Sequence, residues 1–366
     1  MTLSQRRDRL RDRLAAADLD AMLVTDLDNV RYLSGFTGSN AALLVRVSDA
    51  TPVLTTDGRY RTQAAKQSPD AEVVIERACG PYLAGRAAAD GLRRVGFESH
   101  VVTVDAHRRL LDAAGEAELV RAAGTVEALR EVKDAGEVTL LRLACEAADA
   151  ALRDLIDAGG LRPGRTEKEV RRDLESRMLD HGADGPSFET IVATGANSAI
   201  PHHRPTDAVL AEGDFVKIDF GALVSGYHSD MTRTFVLARA EDWQREIYDL
   251  VATAQRAGTD ALAAGVRLSD VDAASRQVIA DAGHAEHFGH GLGHGVGLQI
   301  HEAPGINSAA AGTLLAGSVV TVEPGVYLPD RGGVRIEDTL VVGPDTGTGS
   351  GTPDLLTRFP KELAIL

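Results

Sequence analysis

The segment VKIDFGALVSGYHSD, residues 216–230, decides the fold because it carries two acids that a β-hairpin has to accommodate. Asp219 stands among apolar β-forming residues, where an isolated carboxylate would cost several kcal/mol to ionise. Eleven residues later, beyond a glycine-containing turn region, Asp230 opens a second strand-like run, DMTRTFVLA. The pattern predicts two paired strands whose acids share a compensating partner.

Length and composition indicate a globular protein with two domains. The chain has 366 residues, of which 44% are hydrophobic and 25% charged, and one core rarely serves so long a chain. The net charge of −15 argues against nucleic acid or an anionic membrane as a partner, because such binding needs a basic surface. Some of the acids are therefore candidates for holding cations.

Three features of the sequence bear on the cellular compartment of the protein. No run reaches the roughly 18 apolar residues typical of a membrane helix. The first residues, MTLSQRRDRLRDRL, lack the apolar stretch of a secretory signal and predict a helix. Cys79 and Cys145 are too few for a disulfide framework. These features predict a cytoplasmic protein with no membrane partner.

The two parts of the chain differ in the order of their predicted strands and helices. Short β-like runs alternate with helical stretches in the first part, which predicts a small mixed α/β domain over residues 1–128. A long helix follows in EVTLLRLACEAADAALRDLI, since its apolar residues recur at helical spacing. It opens a second domain over residues 129–366.

Within the second domain the order of elements repeats. A helix begins at Thr166 with Glu169 as capping partner, and the hairpin of the two acids follows. Another helix over 243–264 precedes a helix from Ser269, with Asp272 as a weaker capping partner, and then further strands. Two helix–helix–hairpin units in series predict a duplicated architecture.

The second hairpin carries its own pair of acids, Glu323 in VVTVEPG and Glu337 in GVRIEDT. A structural explanation exists for single acids: Asp230 could cap a turn, and Glu337 could pair with Arg335. Four acids in two matched hairpins would each need a separate compensation for burial. The pattern therefore favours a shared cation site.

Histidines add nitrogen ligands to this set. Five of the eleven lie in HAEHFGHGLGHGVGLQIHE, residues 284–302, where the many glycines let the backbone approach other groups closely. If the segment stays extended, His290 and His294 share one strand face, and at least one could join the acids.

Four carboxylates and an imidazole suit two adjacent divalent ions rather than a structural zinc site. Two such ions, roughly 3.5–4 Å apart, can hold a bridging hydroxide and polarise a carbonyl. That chemistry is typical of amide hydrolysis.

The motifs VKIDFGALVSGYHSDMTRTF, GHGLGHGVGLQIHE, TVEPGVYL and GGVRIEDT resemble those of the pita-bread metallopeptidases, the family (M24) of methionine aminopeptidase, aminopeptidase P and prolidase. In the first domain, NVRYLSGFTGSNAALLV and TDGRY resemble the creatinase-type domain of the proline-directed members. The resemblance implies an α/β fold with a creatinase-like N-terminal domain and a duplicated pita-bread catalytic domain.

The resemblance also implies a metal site. It makes five residues the ligands of two divalent ions, with manganese expected first and cobalt, zinc or iron as alternatives: Asp219, Asp230, His294, Glu323 and Glu337. Asp230 and Glu337 would bridge the ions, and Glu323 would also carry a proton between the bridging hydroxide and the leaving nitrogen.

Further residues match those that surround the substrate in the family. His301 and His202 would contact the substrate and the tetrahedral intermediate, with the adjacent His203 as the alternative to His202. His290 would line the pocket for the residue after the scissile bond, unless it is a packed surface-strand histidine. Two others complete the site: Arg335, orienting an acidic ligand, and Tyr327, which either lines the pocket or packs in the core.

The creatinase-type domain favours Xaa-Pro bonds as the target, and the family implies a homodimer. The substrate would be a peptide with proline second, and the sequence leaves open whether the chain acts as an aminopeptidase P or as a prolidase on dipeptides. Alternatives are a methionine aminopeptidase-like exopeptidase, a metal-free creatinase-like hydrolase, or a non-catalytic binding protein on the same fold.

Overall fold

A computed structural model describes residues 1–48, 51–344 and 351–366. The chain divides into two compact units, Met1–Arg130 and Glu131–Leu366. No helix in these described ranges combines the length and apolar character needed to cross a membrane.

The first unit is built on a six-stranded mixed sheet in the order β4-β3-β2-β1-β5-β6. The strands are β1 (Ala21–Val24), β2 (Ala41–Arg46), β3 (Val53–Thr56), β4 (Glu72–Ile75), β5 (Arg94–Phe97) and β6 (Glu118–Arg121). The helices are α1 (Leu3–Ala16), α2 (Leu27–Ser34), α3 (Arg61–Gln67), α4 (Cys79–Ala89), α5 (Val104–Ala113) and α6 (Glu127–Arg130). The β-like runs of the sequence form strands, and the predicted helices at the N-terminus and near residue 105 are present as α1 and α5.

The second unit contains the four helices that the sequence indicates: α7 (Ala135–Asp157), α8 (Glu167–Asp180), α9 (Asp242–Asp260) and α10 (Leu268–Asp281). α7 packs on α8, and α9 packs on α10. Thr166 caps α8 and forms the predicted capping box with Glu169. The helix pairs therefore repeat as expected.

The capping role predicted for Asp272 is wrong. α10 begins one residue before Ser269, after Arg267, and has no side-chain cap. Asp272 is buried and takes a two-bond ion pair from Arg276, at 2.7 and 2.8 Å. It also accepts the amide N–H of Leu292 at 3.1 Å, so the buried pair rather than the helix start uses its oxygens.

The strands of the second unit form four small sheets, in the orders β12-β9-β8, β14-β13-β15-β18-β19, β16-β17 and β11-β10-β7. Their bounds are β7 (Gly185–Pro186), β8 (Ile191–Thr194), β9 (Phe215–Phe220), β10 (Ala222–Val224), β11 (Tyr227–His228), β12 (Met231–Val236), β13 (Gly293–Gly295), β14 (Glu302–Ile306), β15 (Val319–Val322), β16 (Gly325–Leu328), β17 (Gly332–Arg335), β18 (Asp338–Val341) and β19 (Asp354–Leu355).

Each helix pair covers one hairpin through its own apolar core. One core joins α7 and α8 to β9 and β12 through side chains such as Leu152, Leu174 and Phe220. The other joins α9 and α10 to β15 and β18 through side chains such as Val251 and Val320. The strand ends that carry the acids lie at the edges of these cores.

Candidate metal centre and active site

The four acids occupy comparable places on the two hairpins. Asp219 lies in β9, and Asp230 immediately precedes β12, its antiparallel partner. Glu323 directly follows β15, and Glu337 immediately precedes β18, which pairs with β15. Because the strand ends of both hairpins meet, all four side chains reach one cavity.

This cavity has a volume of about 260 Å³. Its lining combines the four acids with histidines and a few apolar and charged side chains: Phe188, Glu189, Ile191, His202, His203, Arg204, Asp219, Asp230, His294, Ile300, His301, Glu323 and Glu337. The sequence-predicted ligands are thus brought together, although Asp219 and Glu337 are over a hundred positions apart.

His294 is oriented as a nitrogen ligand. Its Nδ1 lies 3.0 Å from the Gly295 carbonyl oxygen, which only accepts hydrogen bonds, so Nδ1 carries the proton and Nε2 presents its lone pair. Nε2 is 3.5 Å from an oxygen of Asp230 and 3.5 Å from an oxygen of Glu323. Burial lowers the pKa of His294 to about 4, which keeps the ring neutral, as metal binding requires.

Glycine at 293 permits this arrangement. A Cβ atom at Gly293 would lie 2.0 Å from the Thr321 carbonyl oxygen, so no other residue fits between β13 and β15 without moving backbone. The close approach that the sequence predicted for this glycine-rich segment therefore occurs at the residue next to His294.

Burial, together with their closeness to one another, shifts the pKa values of these acids. Burial, followed by the nearby carboxylates, raises the pKa of Asp230 and of Glu337 well above the ordinary range. Burial also raises the pKa of Glu323, to about 8. A cluster of this kind needs positive charge to stay ionised at neutral pH.

The donor set fits divalent cations. Ligand atoms of Asp230, His294 and Glu337 lie within 4.8 Å of one another. Asp219 lines the same cavity, and its Oδ1 is buried with no hydrogen-bond partner among the described residues, so the lone pairs of this oxygen are free. Carboxylate oxygens with one neutral imidazole are ligands typical of such ions.

Arg335 connects two of the predicted ligand residues, Asp219 and Glu337. It contacts Asp219 Oδ2 through a short ion pair, and its Nε donates to the Thr232 hydroxyl at 3.0 Å. That hydroxyl in turn donates to Glu337 at 2.7 Å. A single buried guanidinium thus fixes oxygens on both hairpins, and the acid with which it pairs, Asp219, is one of the predicted ligands.

The same arginine orders the other side of the site. Its NH1 donates to the Tyr327 hydroxyl at 2.8 Å, and that hydroxyl lies 2.9 Å from His290 Nε2. His290 Nδ1 is 2.8 Å from the Gly291 carbonyl oxygen, so Nε2 accepts the tyrosine proton. Tyr327 is 7% exposed and is both packed and hydrogen-bonded.

The extended conformation considered for 290–294 is not adopted. β13 covers only Gly293–Gly295, and His290 lies before it, where its ring packs edge-on against Phe288. Glycines on both sides of His290 leave the backbone free to turn there. His290 therefore faces Tyr327 rather than the four acids.

The remaining histidines differ in their contacts. The ring of His301 packs edge-on against His294 with centroids 4.4 Å apart, and burial followed by His202 lowers the pKa of His301. His202 is exposed at the cavity wall. His203 is buried, and its Nε2 lies 2.8 Å from Glu167.

Several residues at the site were missed by sequence reasoning. Thr232 links Arg335 to Glu337. The pairing of the two strands places it opposite Asp219, and this is the sequence feature that could have identified it. Glu167 and Lys217 are buried beside the segment that carries His202. No local sequence pattern identifies the residues that Glu167 and Lys217 contact.

Family comparisons are consistent with this geometry. Residues 139–344 match the model described as metallopeptidase family M24, and residues 6–132 match the creatinase/prolidase N-terminal domain. An uncharacterized peptidase of Bacillus subtilis, YqhT, is 39% identical over 98% of this chain and 99% of its own.

Two solved structures are similar over nearly the whole chain. A Xaa-Pro dipeptidase from Bacillus anthracis is 38% identical, with a TM-score of 0.93 and 100% of both chains covered. An X-Pro aminopeptidase from Thermotoga maritima is 33% identical, with a TM-score of 0.87, covering 97% of this chain and 100% of that one. These matches confirm the predicted two-domain α/β fold class.

Proposed function

The chain belongs to metallopeptidase family M24, as its motifs indicated, and from that premise we propose that it hydrolyses Xaa-Pro peptide bonds, with Xaa-Pro dipeptides as the first substrates to test. The observation that carries the proposal is the convergence of Asp230, His294 and Glu337, whose ligand atoms lie within 4.8 Å of one another. The creatinase-type first domain and the similarity to a Xaa-Pro dipeptidase support proline as the second residue.

Cleavage of longer peptides that begin Xaa-Pro is the second candidate. The similarity to an X-Pro aminopeptidase over 97% of the chain favours it. The two candidates differ only in what the cavity accepts beyond the proline.

The proposed metal ligands are the five residues expected from the sequence: Asp219, Asp230, His294, Glu323 and Glu337. Two divalent ions, manganese first and cobalt, zinc or iron as alternatives, would supply activated water and polarise the scissile carbonyl. Asp230 and Glu337, the most deeply buried acids of the cavity, are proposed as the shared ligands.

Protein groups would then handle the proton and the developing charge. Glu323, which directly follows β15 and lines the cavity, is proposed to take a proton from the attacking water and deliver it to the leaving nitrogen. His202 and His301 are proposed to donate to the oxyanion as it forms. His202 is preferred over His203 because Glu167 already engages the His203 ring.

The pocket beyond the scissile bond would be formed by His290 and Tyr327. The Tyr327 hydroxyl accepts a hydrogen bond from Arg335, and His290 Nδ1 donates to the Gly291 carbonyl. These bonds give both side chains fixed orientations. Arg335 itself is proposed to orient Asp219.

Two further proposals concern the state of the protein. We propose that it works in the cytoplasm, which the two buried, unpaired cysteines support. We also propose a homodimer, to be tested by light scattering during size-exclusion chromatography.

The test is a substrate panel with protein that has been stripped by a chelator and reloaded with manganese. We expect hydrolysis of Ala-Pro, loss of turnover on stripping and recovery on reloading, while Met-Ala-Ser and creatine remain intact. Ala-Pro-Ala decides between the dipeptidase and the aminopeptidase. Turnover that is indifferent to stripping would contradict the metal-dependent mechanism.

A matched pair of variants checks the site itself. Glu337→Ala should abolish turnover and lower the metal content. Glu286→Ala removes an acid whose side chain is 85% exposed in the same histidine-rich segment, and it should do neither. Wild-type turnover by Glu337→Ala with full metal content would contradict the assignment of Glu337 as a shared ligand.

A further inference from the structure

One loop at the active site, residues 195–206, is held by buried charged side chains from three separate elements. The loop begins with the 3-10 helix Gly195–Ala199 and carries His202 into the cavity. Glu167 reaches it from the start of α8, Lys217 from β9 and Arg335 from β17. All three side chains belong to residues that are at most 2% exposed.

Glu167 fixes both ends of the loop. One carboxylate oxygen accepts the Thr194 N–H and the Asn197 side-chain amide, each at 2.9 Å. The other oxygen accepts the Thr206 N–H and hydroxyl at 2.8 Å, and it lies 2.8 Å from His203 Nε2. A carboxylate with five donors around it is fully satisfied, so this acid is committed to the loop.

Lys217 holds the residues directly before His202. Its Nζ donates to the Ile200 carbonyl at 2.7 Å and to the Pro201 carbonyl at 3.3 Å. Arg335 NH1 adds a bond to the same Pro201 carbonyl at 3.2 Å. The Lys217 amine also lies 5.0 Å from the centroid of the Tyr327 ring.

Lys217 is unusual because it is buried without an ion pair. No carboxylate lies within 4.0 Å of its Nζ in the described part of the chain, although such a partner is what normally compensates a buried lysine. Among the described residues its hydrogen-bond partners are the two loop carbonyls, and an amine can donate to them whether or not it is protonated. The position of Nζ is therefore set by the backbone of residues 200 and 201.

We infer that Lys217 is a positioning residue for the reaction: together with Glu167 it holds the loop 195–206 so that His202 projects at the substrate carbonyl. The inference rests on the proposed role of His202. It predicts that Lys217 acts on turnover only through that histidine, and that loss of its N–H groups releases the loop while the metal ligands stay in place.

The test is a double-mutant cycle on kcat/KM for Ala-Pro with manganese-loaded protein. Lys217→Met keeps the aliphatic stem and removes the donors, and we expect it to lower kcat/KM by about 10- to 100-fold, mainly in kcat, since a displacement of about 1 Å has effects of this size. In a His202→Ala background the same change should cost less than about twofold, because residues acting as a unit are not additive. Metal content should be unchanged in all variants.

Lys168→Met is the matched control. Lys168 is next to Glu167 on α8, but its side chain is 45% exposed and pairs with Asp207 at 2.9 Å. We expect wild-type kcat/KM from this variant. If Lys217→Met fails to fold, Glu167→Gln replaces it in the cycle. The glutamine amide would place N–H groups against the donors that now bind the Glu167 carboxylate, and this should release the loop at the contacts that Glu167 makes.

Amide hydrogen exchange provides a readout that does not depend on activity. Lys217→Met should speed exchange in peptides covering 195–206 and leave those of α7 unchanged. Unchanged protection of the loop, or an equal loss of kcat/KM with and without His202, would overturn the inference.

Failure of the proposed function gives a different result. If the wild-type protein cleaves neither Ala-Pro nor Ala-Pro-Ala, the function is wrong, and hydrogen exchange alone decides whether Lys217 anchors the loop. If His202→Ala retains full turnover on Ala-Pro, Xaa-Pro hydrolysis stands but the positioning role is refuted.

Discussion

Replacing Asp338 by asparagine should destabilise the second unit strongly. The Asp338 carboxylate accepts from Arg233 at 2.8 Å, from Gln255 at 2.9 Å and from Thr357 at 2.9 Å, and it also contacts Lys361. The side chains of Asp338 and Arg233 are 0% and 2% exposed. Either orientation of an asparagine amide would point N–H groups at these donors.

Removing one partner of a buried ion pair costs about 3–5 kcal/mol. For a unit of this size that corresponds to a fall in Tm of about 6–20 °C. Trp243, the single tryptophan, lies at the start of α9, so its fluorescence during urea unfolding reports on this unit.

Asp354→Asn is the matched control. Asp354 pairs with Arg142 at 2.6 Å, but the two side chains are 54% and 29% exposed, and exposed pairs contribute about 1 kcal/mol or less. The reasoning is refuted if Asp338→Asn and Asp354→Asn lower the free energy of unfolding by similar amounts. Because Arg233 NH1 also donates to the Glu337 carbonyl at 2.6 Å, Asp338→Asn should in addition weaken manganese binding in equilibrium dialysis.

His301→Ala should lower kcat and leave metal content near the wild-type value by mass spectrometry, because the ring packs on His294 without contributing to the acid cluster; a loss of metal equal to that of Glu337→Ala would contradict this. In protein stripped of metal by a chelator, the pKa of Glu323 in the folded state is about 8, raised from the ordinary value of 4.5. The folded state therefore keeps a proton that the unfolded state has released, so stability falls as pH rises. The fall should be visible in Tm between about pH 6.5 and 8, above the titration of unfolded histidines. Glu323→Gln should make the fall shallower without abolishing it, because Asp230 and Glu337 also have raised pKa values. Gly293→Ala should prevent folding of the second unit or cost several kcal/mol, since its Cβ would lie 2.0 Å from the Thr321 carbonyl oxygen; near wild-type urea unfolding would show that the strands separate easily.

The sequence was sufficient for elements whose signals are local. The capping box at Thr166 and Glu169 depends on a spacing of three residues, and the structure contains it. Likewise, acids flanked by apolar β-formers mark the ends of buried strands, so the meeting of Asp230 with Glu337 could be predicted from the repetition of the pattern.

Contacts between distant residues could not be predicted in the same way. Asp272 has the spacing of a capping residue, but its partner is Arg276 together with the Leu292 N–H, and only the packed structure brings the latter near. Lys217 resembles an ordinary outward-facing strand lysine, whereas its partners are backbone carbonyls of a loop, which no side-chain pattern encodes. His290 and His294 both have glycine on either side, yet only His294 lies in β13, so the glycine pattern did not distinguish the two histidines.

The wide spacing of the cavity's acids along the chain bears on biogenesis. The hydroxyl of Thr232 and the carboxylate of Glu337 that it contacts are 105 positions apart, so no short fragment contains the complete set of acids. During synthesis the first hairpin emerges with its acids uncompensated, and tight cation uptake has to wait until β18 docks. Manganese retention would therefore report completed assembly of this unit, and a truncated translation product ending before Glu337 should fail to retain the ion.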